Sequence, residues 1–139
     1  MWLYNGEEFT SEMIEDWIGF VYLLTDLENG KKYVGKKNFW STRRLPPLKG
    51  KTRRRTKKTE SNWPEYYGSS EEIGLLVENS GGSRFRREIL HLCKSKGEMS
   101  YLELKEQVDR QVLLNDEYYN GIIQVKIHRS HVKRLKDVL

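Results

Sequence analysis

The strongest constraint on the fold is a pair of apolar runs on either side of an Asn-Gly turn. Residues 20–24 (Phe-Val-Tyr-Leu-Leu) and 31–35 (Lys-Lys-Tyr-Val-Gly) flank Asn29-Gly30. Two runs that contain aromatic and β-branched residues and are joined by such a turn predict a β-hairpin. The hairpin carries one tyrosine on each strand, Tyr22 and Tyr33. Aromatic residues in a half-buried strand are more often core than catalytic, so a chemical role needs support from the rest of the chain.

The two tripeptides around these tyrosines resemble the signature of the GIY-YIG nucleases. Phe20-Val21-Tyr22 stands where Gly-Ile-Tyr is usual, whereas Tyr33-Val34-Gly35 fits the second motif. The family draws its remaining active-site groups from three places, which Arg43, Glu103 and Asn120 occupy in this chain. The resemblance covers roughly residues 19–123. It implies a metal-dependent DNA endonuclease whose catalytic residues are Tyr22, Tyr33, Arg43, Glu103 and Asn120.

The resemblance also implies a role for most of these residues. Glu103 would hold one divalent cation, Mg²⁺ or Mn²⁺, and a single carboxylate suffices because Mg²⁺ keeps several water ligands. Arg43 would bind the phosphate bidentately and stabilise developing charge. Tyr22 would accept a proton and Tyr33 would position water or phosphate. Because a free phenol titrates near pH 10, a base role for Tyr22 requires positive charge nearby.

Three of these assignments have competing interpretations. The stretch from Ser100 to Glu103 fits a helix capping box, in which Glu103 would bond only a backbone amide and Glu106 would be the alternative metal ligand. Arg44 competes with Arg43 for the phosphate. Asn120 precedes Gly121, so it could simply form a turn.

Some family members carry a histidine before their second helix. The corresponding residues here, 66–70 (Tyr-Tyr-Gly-Ser-Ser), contain none. Any help with proton transfer from this segment is therefore expected from Tyr67 or from a lysine.

Positive charge is concentrated in one internal segment. Thirteen Lys and Arg residues and no acid lie between Lys31 and Lys58, while the rest of the chain has a balance of −8. Such a run is the electrostatic footprint of contacts to a phosphate backbone. The expected DNA-binding residues are Lys36, Lys37, Arg44, Arg53, Arg54, Arg55, Lys57 and Lys58. The alternative function is a non-catalytic nucleic-acid-binding module that relies on this 31–58 segment and uses the hairpin only as scaffold.

The order of predicted elements indicates an α+β domain. Strands are expected at 18–25, 31–37 and 85–93, and residues 122–128 should form a fourth strand or an extended tail. One helix should begin at a capping box formed by Ser69 and Glu72. A second, longer helix should carry an apolar stripe of Leu104, Val108 and Val112. The expected sheet is small, mainly antiparallel and three- to four-stranded, with helices flanking it.

The remaining segments are expected to be accessory to one domain that spans residues 1–139, with its core at about 18–123. A strand-turn unit at 2–9 should cover the edge of the hairpin. Residues 43–60 should form a basic loop, of which 49–59 should be mobile without nucleic acid, since they contain few apolar side chains. The terminal extensions are 1–17 and 124–139.

Size and cysteine content limit the class of protein. A chain of 139 residues is one domain's worth. Cys93 is its only cysteine, which excludes an intramolecular disulfide and fits a reducing compartment. No apolar stretch predicts a membrane span or a signal peptide, so a cytoplasmic protein of a bacterial host is expected. Its compactness resembles the free-standing and homing endonucleases of bacteriophages. Duplex or branched DNA is the expected partner, and RNA and the oligomeric state stay open.

Overall fold

The structure is a computed structural model, which describes residues 1–138. Within them the strands and helices are β1 (Trp2–Tyr4), β2 (Glu7–Phe9), β3 (Gly19–Asp26), β4 (Lys32–Asn38), β5 (Trp40–Leu45), β6 (Arg55–Glu60), α1 (Glu71–Ser80), β7 (Phe85–Cys93) and α2 (Lys96–Asp109). Short 3₁₀ turns lie at Ser11–Met13, Trp63–Glu65, Gly82–Arg84, Arg129–Val132 and Arg134–Asp137. The α+β class is confirmed. No helix in the described chain is both long and apolar enough to cross a bilayer.

A five-stranded mixed sheet organises the domain, with the strand order β2-β1-β7-β3-β4. The predicted hairpin is confirmed as β3 and β4, and Gly30 takes the positive φ of 76° that its turn requires. The predicted count of three to four strands is wrong, because β1 and β2 join the sheet. The expected place of this unit is also wrong, since β1 pairs in parallel with β7 on the side away from β4. Strand β4 is therefore left as an edge of the sheet.

Each face of the sheet packs against its own core. Phe20 and Tyr22 of β3 lie in an aromatic core with Trp2 and Trp63. Val21 of β3 faces the other core, beneath α2. Neighbouring residues of β3 enter different cores because side chains alternate along a strand. This alternation explains why all eight residues of β3 are buried.

Helix α2 covers the second core with a face that the sequence did not predict. Its buried residues are Glu98, Met99, Leu102 and Gln107. Val108, expected in an apolar stripe, is 56 % exposed. The predicted stripe is not the buried face, because α2 packs on the backbone of β4 as well as on apolar side chains. There Gln107 donates a hydrogen bond to the carbonyl of Val34 at 3.4 Å. Helix α1 begins one residue later than predicted, with Ser70 as its cap in place of Ser69.

Most of the expected basic loop is an ordered hairpin. Strands β5 and β6 pair in antiparallel register from Trp40 with Glu60 to Leu45 with Arg55, and only residues 46–54 connect them. The prediction failed because strand formation here needs no apolar face: every residue of β6 is exposed, so its threonines and cations remain hydrated. We refer to residues 40–60 as the basic hairpin. Residues 122–128 form the extended tail, without strand pairing.

A buried ion pair fixes the turn between β3 and β4. The carboxylate of Asp26 is fully buried and accepts two hydrogen bonds from Arg84, both at 2.9 Å, and one from the Tyr119 hydroxyl at 2.6 Å. Burial opposes ionisation of this group, but the hydrogen bonds from Arg84 and Tyr119 outweigh it and lower the pKa of Asp26 to about 2. The turn is thereby tied both to the start of β7 and to the chain beyond α2.

Asp26→Asn should lower the free energy of unfolding by roughly 2 kcal/mol at neutral pH, because a depressed carboxyl pKa stabilises the folded state where the carboxylate is ionised. This contribution is present above the unfolded-state pKa of about 4 and is lost as the pH falls toward the folded-state value. Urea unfolding between neutral and acidic pH should therefore show a shallower loss of stability in the variant. Asp109→Asn, which breaks an exposed pair with Lys105, is the control and should cost less than about 1 kcal/mol. Equal acid sensitivity of Asp26→Asn and the wild type would contradict this assignment.

Candidate active site

The two hairpin tyrosines lie on the same face of the sheet. Tyr22 is paired with Gly35 across β3 and β4, and Tyr33 is paired with Leu24 two residues further along. Their ring centroids are 6.3 Å apart. A Cβ atom at Gly35 would lie 2.3 Å from the Tyr22 hydroxyl, so the phenol passes directly over this glycine. Only a residue without a side chain at position 35 allows the hydroxyl of the buried Tyr22 to reach the edge of the sheet.

Glu103 approaches the same edge from the opposite face, on α2. One turn earlier on the helix, Ser100 accepts a hydrogen bond from Lys36 of β4 at 2.8 Å. Burial raises the pKa of Glu103, and the charge of Lys36 partly offsets this. The glutamate is half-buried and forms no hydrogen bond or ion pair with any residue of the described chain. Its carboxylate is therefore available to a ligand.

The competing interpretations of Glu103 do not hold in the structure. The cap of α2 is Ser95, whose side chain accepts a hydrogen bond from the amide of Glu98, so Glu103 lies in the middle of the helix. Glu106 is already engaged by His91 and Arg110, each at 2.8 Å. Of the two candidate metal ligands, Glu103 is the one left without a partner among the described residues.

A third tyrosine and a lysine complete the cluster. The Tyr66 ring stands edge-on to Tyr22, with centroids 6.0 Å apart, and the ammonium of Lys37 lies 4.2 Å above the centre of the Tyr66 ring. Burial lowers the pKa of Lys37. The sequence places Lys37 in the basic segment that is expected to bind the DNA backbone. Because side chains alternate along a strand, its spacing from Tyr33 and Gly35 also puts it on the face of the sheet that carries the two tyrosines. Tyr66 carries no comparable signal, because its position depends on the preceding 3₁₀ turn.

The phenols of Tyr22 and Tyr33 are held in their protonated form by their surroundings. Burial is the main cause that raises the pKa of Tyr22 well above its usual value, and the neighbouring phenols of Tyr66 and Tyr33 and the charge of Glu103 add to it. The pKa of Tyr33 is raised mainly by burial as well, against a hydrogen bond with Ser69 at 3.2 Å that lowers it. The described residues alone thus do not favour a phenolate.

Arg87 positions the segment that carries Tyr66. Its guanidinium donates hydrogen bonds to the carbonyls of Pro64 and Tyr66, both at 2.9 Å. It also packs on the rings of Trp2 and Tyr67, at 5.0 and 4.2 Å. Tyr67, which with a lysine was one of the two expected sources of help with proton transfer, therefore faces Arg87 and not the cluster around Tyr22. Tyr66 lies there instead.

The structure does not bring Arg43 into the cluster. Strand β4 ends at Asn38, the buried Phe39 separates it from β5, and Arg43 lies on the exposed basic hairpin opposite Lys57. It forms no hydrogen bond or ion pair with a described residue. Arg43 follows Tyr33 by ten residues, a spacing that favours it over Arg44 from sequence, but the chain leaves the sheet between the two positions. Arg44 follows it on the hairpin, opposite Thr56.

Asn120 holds the edge strand instead of facing the phosphate. Its buried amide accepts a hydrogen bond from the Val34 nitrogen at 3.0 Å and donates one to the Val34 carbonyl at 2.9 Å. These two bonds imitate the pairing of a further strand along β4. The sequence predicted either a turn or a phosphate contact for Asn120, and the structure shows neither. Asn120 instead positions the strand β4.

A positively charged groove leads from the cluster to the basic hairpin. Its lining includes Lys36, Lys37, Asn38, Trp40, Thr42, Lys58, Lys96 and Ser100. No acidic residue lines it in the described chain. The side-chain oxygen of Asn38, in the middle of the groove, is buried without a hydrogen-bond partner among the described residues. Lys96 was not foreseen, since it is remote in sequence from the basic segment.

The structure brings tyrosines from two paired strands together with a carboxylate from a helix at the edge of the sheet. The resemblance to the GIY-YIG nucleases predicts that these residues share one site. The family model described as "Putative endonuclease segE, GIY-YIG domain" matches residues 2–123. The chain belongs to this family and is an endonuclease, a hydrolase of phosphodiester bonds, and not the non-catalytic alternative. The match begins at the first residue of β1, so the N-terminal hairpin is part of the family domain. No curated protein and no solved structure matches the chain.

Gly35→Ala should abolish most cleavage while the domain stays folded, because the added methyl group must displace the Tyr22 hydroxyl. Displacing a catalytic group by about 1 Å can reduce the rate on the order of 10²-fold. Single-turnover cleavage of plasmid DNA, with thermal unfolding in parallel, measures the effect. Gly74→Ala is the matched control, since nothing lies within 4 Å of a methyl group there and alanine favours the helix. Wild-type cleavage by Gly35→Ala would show that the path of Tyr22 over the glycine is irrelevant to chemistry.

Proposed function

We propose that this protein is a metal-dependent DNA endonuclease whose active site consists of Tyr22, Tyr33, Lys37 and Glu103. The observation that carries the proposal is the convergence of Tyr22 and Glu103, which approach the edge of β4 from opposite faces of the sheet. Phosphodiester hydrolysis needs an activated water, stabilisation of charge on the phosphoryl group and help for the departing oxygen. The cluster contains residue types suited to each of these tasks.

Glu103 is the residue that would hold the divalent cation. Its carboxylate is a hard oxygen ligand without a partner among the described residues, which suits Mg²⁺ or Mn²⁺ with water and phosphate as the other ligands. No group of three or more His, Cys, Asp or Glu that could hold a metal occurs in the described chain. The site therefore depends on the substrate for part of the coordination. When bound, the cation would act as a Lewis acid on the phosphoryl oxygens.

The tyrosines would handle the attacking water. Tyr22 is the proposed proton acceptor, and because its pKa is raised in the chain alone, positive charge must offset the effect of burial before it can act. Lys37 supplies such charge on the same face of the sheet. Tyr33, whose hydroxyl contacts Ser69, would hold the water or the phosphate in line. Arg43 could reach the phosphate only if the basic hairpin bends over the bound DNA.

The groove and the basic hairpin would bind the DNA backbone on one side of the cut. Lys36, Lys37, Lys96 and Lys58 follow one another along the groove, and the remaining cations of the hairpin extend the path. Contacts of this kind set affinity and register without reading sequence directly. We assign the protein to the free-standing or homing-type endonucleases of bacteriophages, acting on duplex or branched DNA in a bacterial cytoplasm.

Glu103→Gln should reduce DNA cleavage on the order of 10²-fold or more, as loss of one electrostatic stabiliser does in other enzymes. Duplex binding without metal should stay close to wild type, since the cations of the groove are untouched. EDTA should stop cleavage by the wild type, and Mg²⁺ or Mn²⁺ should restore it. Glu106→Gln is the control: it breaks the contacts to His91 and Arg110 and costs stability, but it should keep the chemistry. Full activity in Glu103→Gln would place the metal elsewhere.

Replacing the densest cations of the basic hairpin with Gln should weaken binding to all duplexes alike. The variant changes Arg53, Arg54, Arg55, Lys57 and Lys58. For every DNA phosphate that the variant no longer neutralises, the slope of log affinity against log salt should fall by about 0.9, because fewer counterions are released. Fluorescence anisotropy over a range of salt concentrations measures the slope, and primer extension on cleaved DNA locates the cut. An unchanged slope with a lost site preference would mean that the hairpin reads bases.

A further inference from the structure

We infer that the C-terminal segment, residues 124–138, is a second phosphate-binding surface for duplex DNA. The inference rests on the proposed function, because it takes DNA as the partner. The segment follows the residues that the family model matches, which end at 123. Its charged residues are Lys126, Arg129, Lys133, Arg134, Lys136 and Asp137. The segment therefore has a net charge of +4 in 15 residues, compared with +8 in the 21 residues of the basic hairpin.

The segment is fixed to α2. Arg134 donates two hydrogen bonds to the carboxylate of Glu98, both at 2.8 Å, and the Glu98 residue is only 3 % exposed. Leu135 is 4 % exposed and belongs to the core under the helix. A Cβ atom at Gly97 would lie 2.3 Å from the Cβ of His131, so the helix backbone and the segment are in direct contact. These contacts give the cations of the segment fixed positions relative to α2.

A cavity of about 420 Å³ lies between α2 and the segment. Its lining consists of Tyr101, Arg129, Val132, Lys133, Leu135 and Lys136. Arg129, Lys133 and Lys136 are exposed, and none of them pairs with a carboxylate in the described chain. The three cations surround an apolar surface, which favours a ligand in which anionic groups alternate with less polar ones. The sugar-phosphate backbone of DNA has this character.

The cavity and the candidate active site flank α2 on different sides. Successive residues of a helix are turned by about 100°, so Tyr101 and Glu103, two residues apart, point to nearly opposite sides of α2. Ser100 lines the groove that holds Lys36 and Lys37, and Tyr101 lines the cavity. A duplex bound at Glu103 would therefore contact the C-terminal cations by extending across the exposed side of α2. The segment would hold a part of the duplex that the groove does not.

The test compares two double variants of the full chain in EDTA, with a fluorescein-labelled duplex and fluorescence anisotropy over a range of salt concentrations. Lys133→Gln/Lys136→Gln removes two exposed cations and leaves the Arg134 contacts in place. It should weaken binding and reduce the salt slope by about 1.8, the value for two phosphate contacts. Arg86→Gln/Lys105→Gln is the charge-matched control, because these cations already pair with Glu88 and Asp109. It should leave the slope near that of the wild type.

The outcomes separate this inference from the proposed function. If the wild type binds and cuts DNA but the two double variants have the same slope, the C-terminal surface is not a phosphate site and only this inference fails. If the wild type shows no salt-dependent duplex binding and no cleavage, both fail. Circular dichroism of each variant checks that the fold is retained. If Lys133→Gln/Lys136→Gln is misfolded, Lys133→Gln and Lys136→Gln are measured singly, and each should reduce the slope by about 0.9.

Discussion

The contact between the Tyr22 phenol and Gly35 is the constraint on which the proposed active site depends. Tyr22 is 1 % exposed and would be an ordinary core residue if position 35 carried a side chain. Without one, its hydroxyl reaches the edge of the sheet. That edge remains accessible because the N-terminal strands pair with β7 at the other side of the sheet. Asn120 closes only the part of β4 around Val34.

The electrostatics of the site favour a ligand. Burial raises the pKa values of Tyr22, Tyr33 and Glu103, so placing negative charge on any of them is costly in the chain alone. The charge of Lys36 offsets part of this cost at Glu103. A cation at the carboxylate would relieve it, and the surrounding positive groove would draw in the phosphate that completes the coordination. In the proposed mechanism the same residues would link metal binding, DNA binding and the ionisation that hydrolysis needs.

Much of the fold was predictable from sequence because it follows local rules. The Asn29-Gly30 turn and the alternating pattern on either side predicted β3 and β4, and composition predicted β7. Resemblance to the family selected Glu103 from several acids on α2, and its position at the sheet edge supports that choice. Asn120 was selected in the same way, but the role expected for it was not the one found.

The remaining features depend on contacts that sequence does not record. Arg43 was selected by its spacing from Tyr33 along the chain. This spacing does not predict proximity in space, because the chain leaves the sheet at Phe39. Tyr66 rather than Tyr67 enters the site because Arg87, distant in sequence, holds the carbonyls around it. The basic hairpin was mistaken for a mobile loop, since a two-stranded ribbon without an apolar face lacks the usual signature of a strand.

A crystal structure of Tyr22→Phe bound to duplex DNA and Mn²⁺ would test the central claim most directly. The substitution removes the proposed proton acceptor while keeping the ring, and anomalous scattering locates the metal without ambiguity. We expect Mn²⁺ on the Glu103 carboxylate, with a phosphate oxygen of the DNA as a further ligand beside position 22. Mn²⁺ bound at another carboxylate, or a DNA backbone that avoids the edge of β4, would contradict the account.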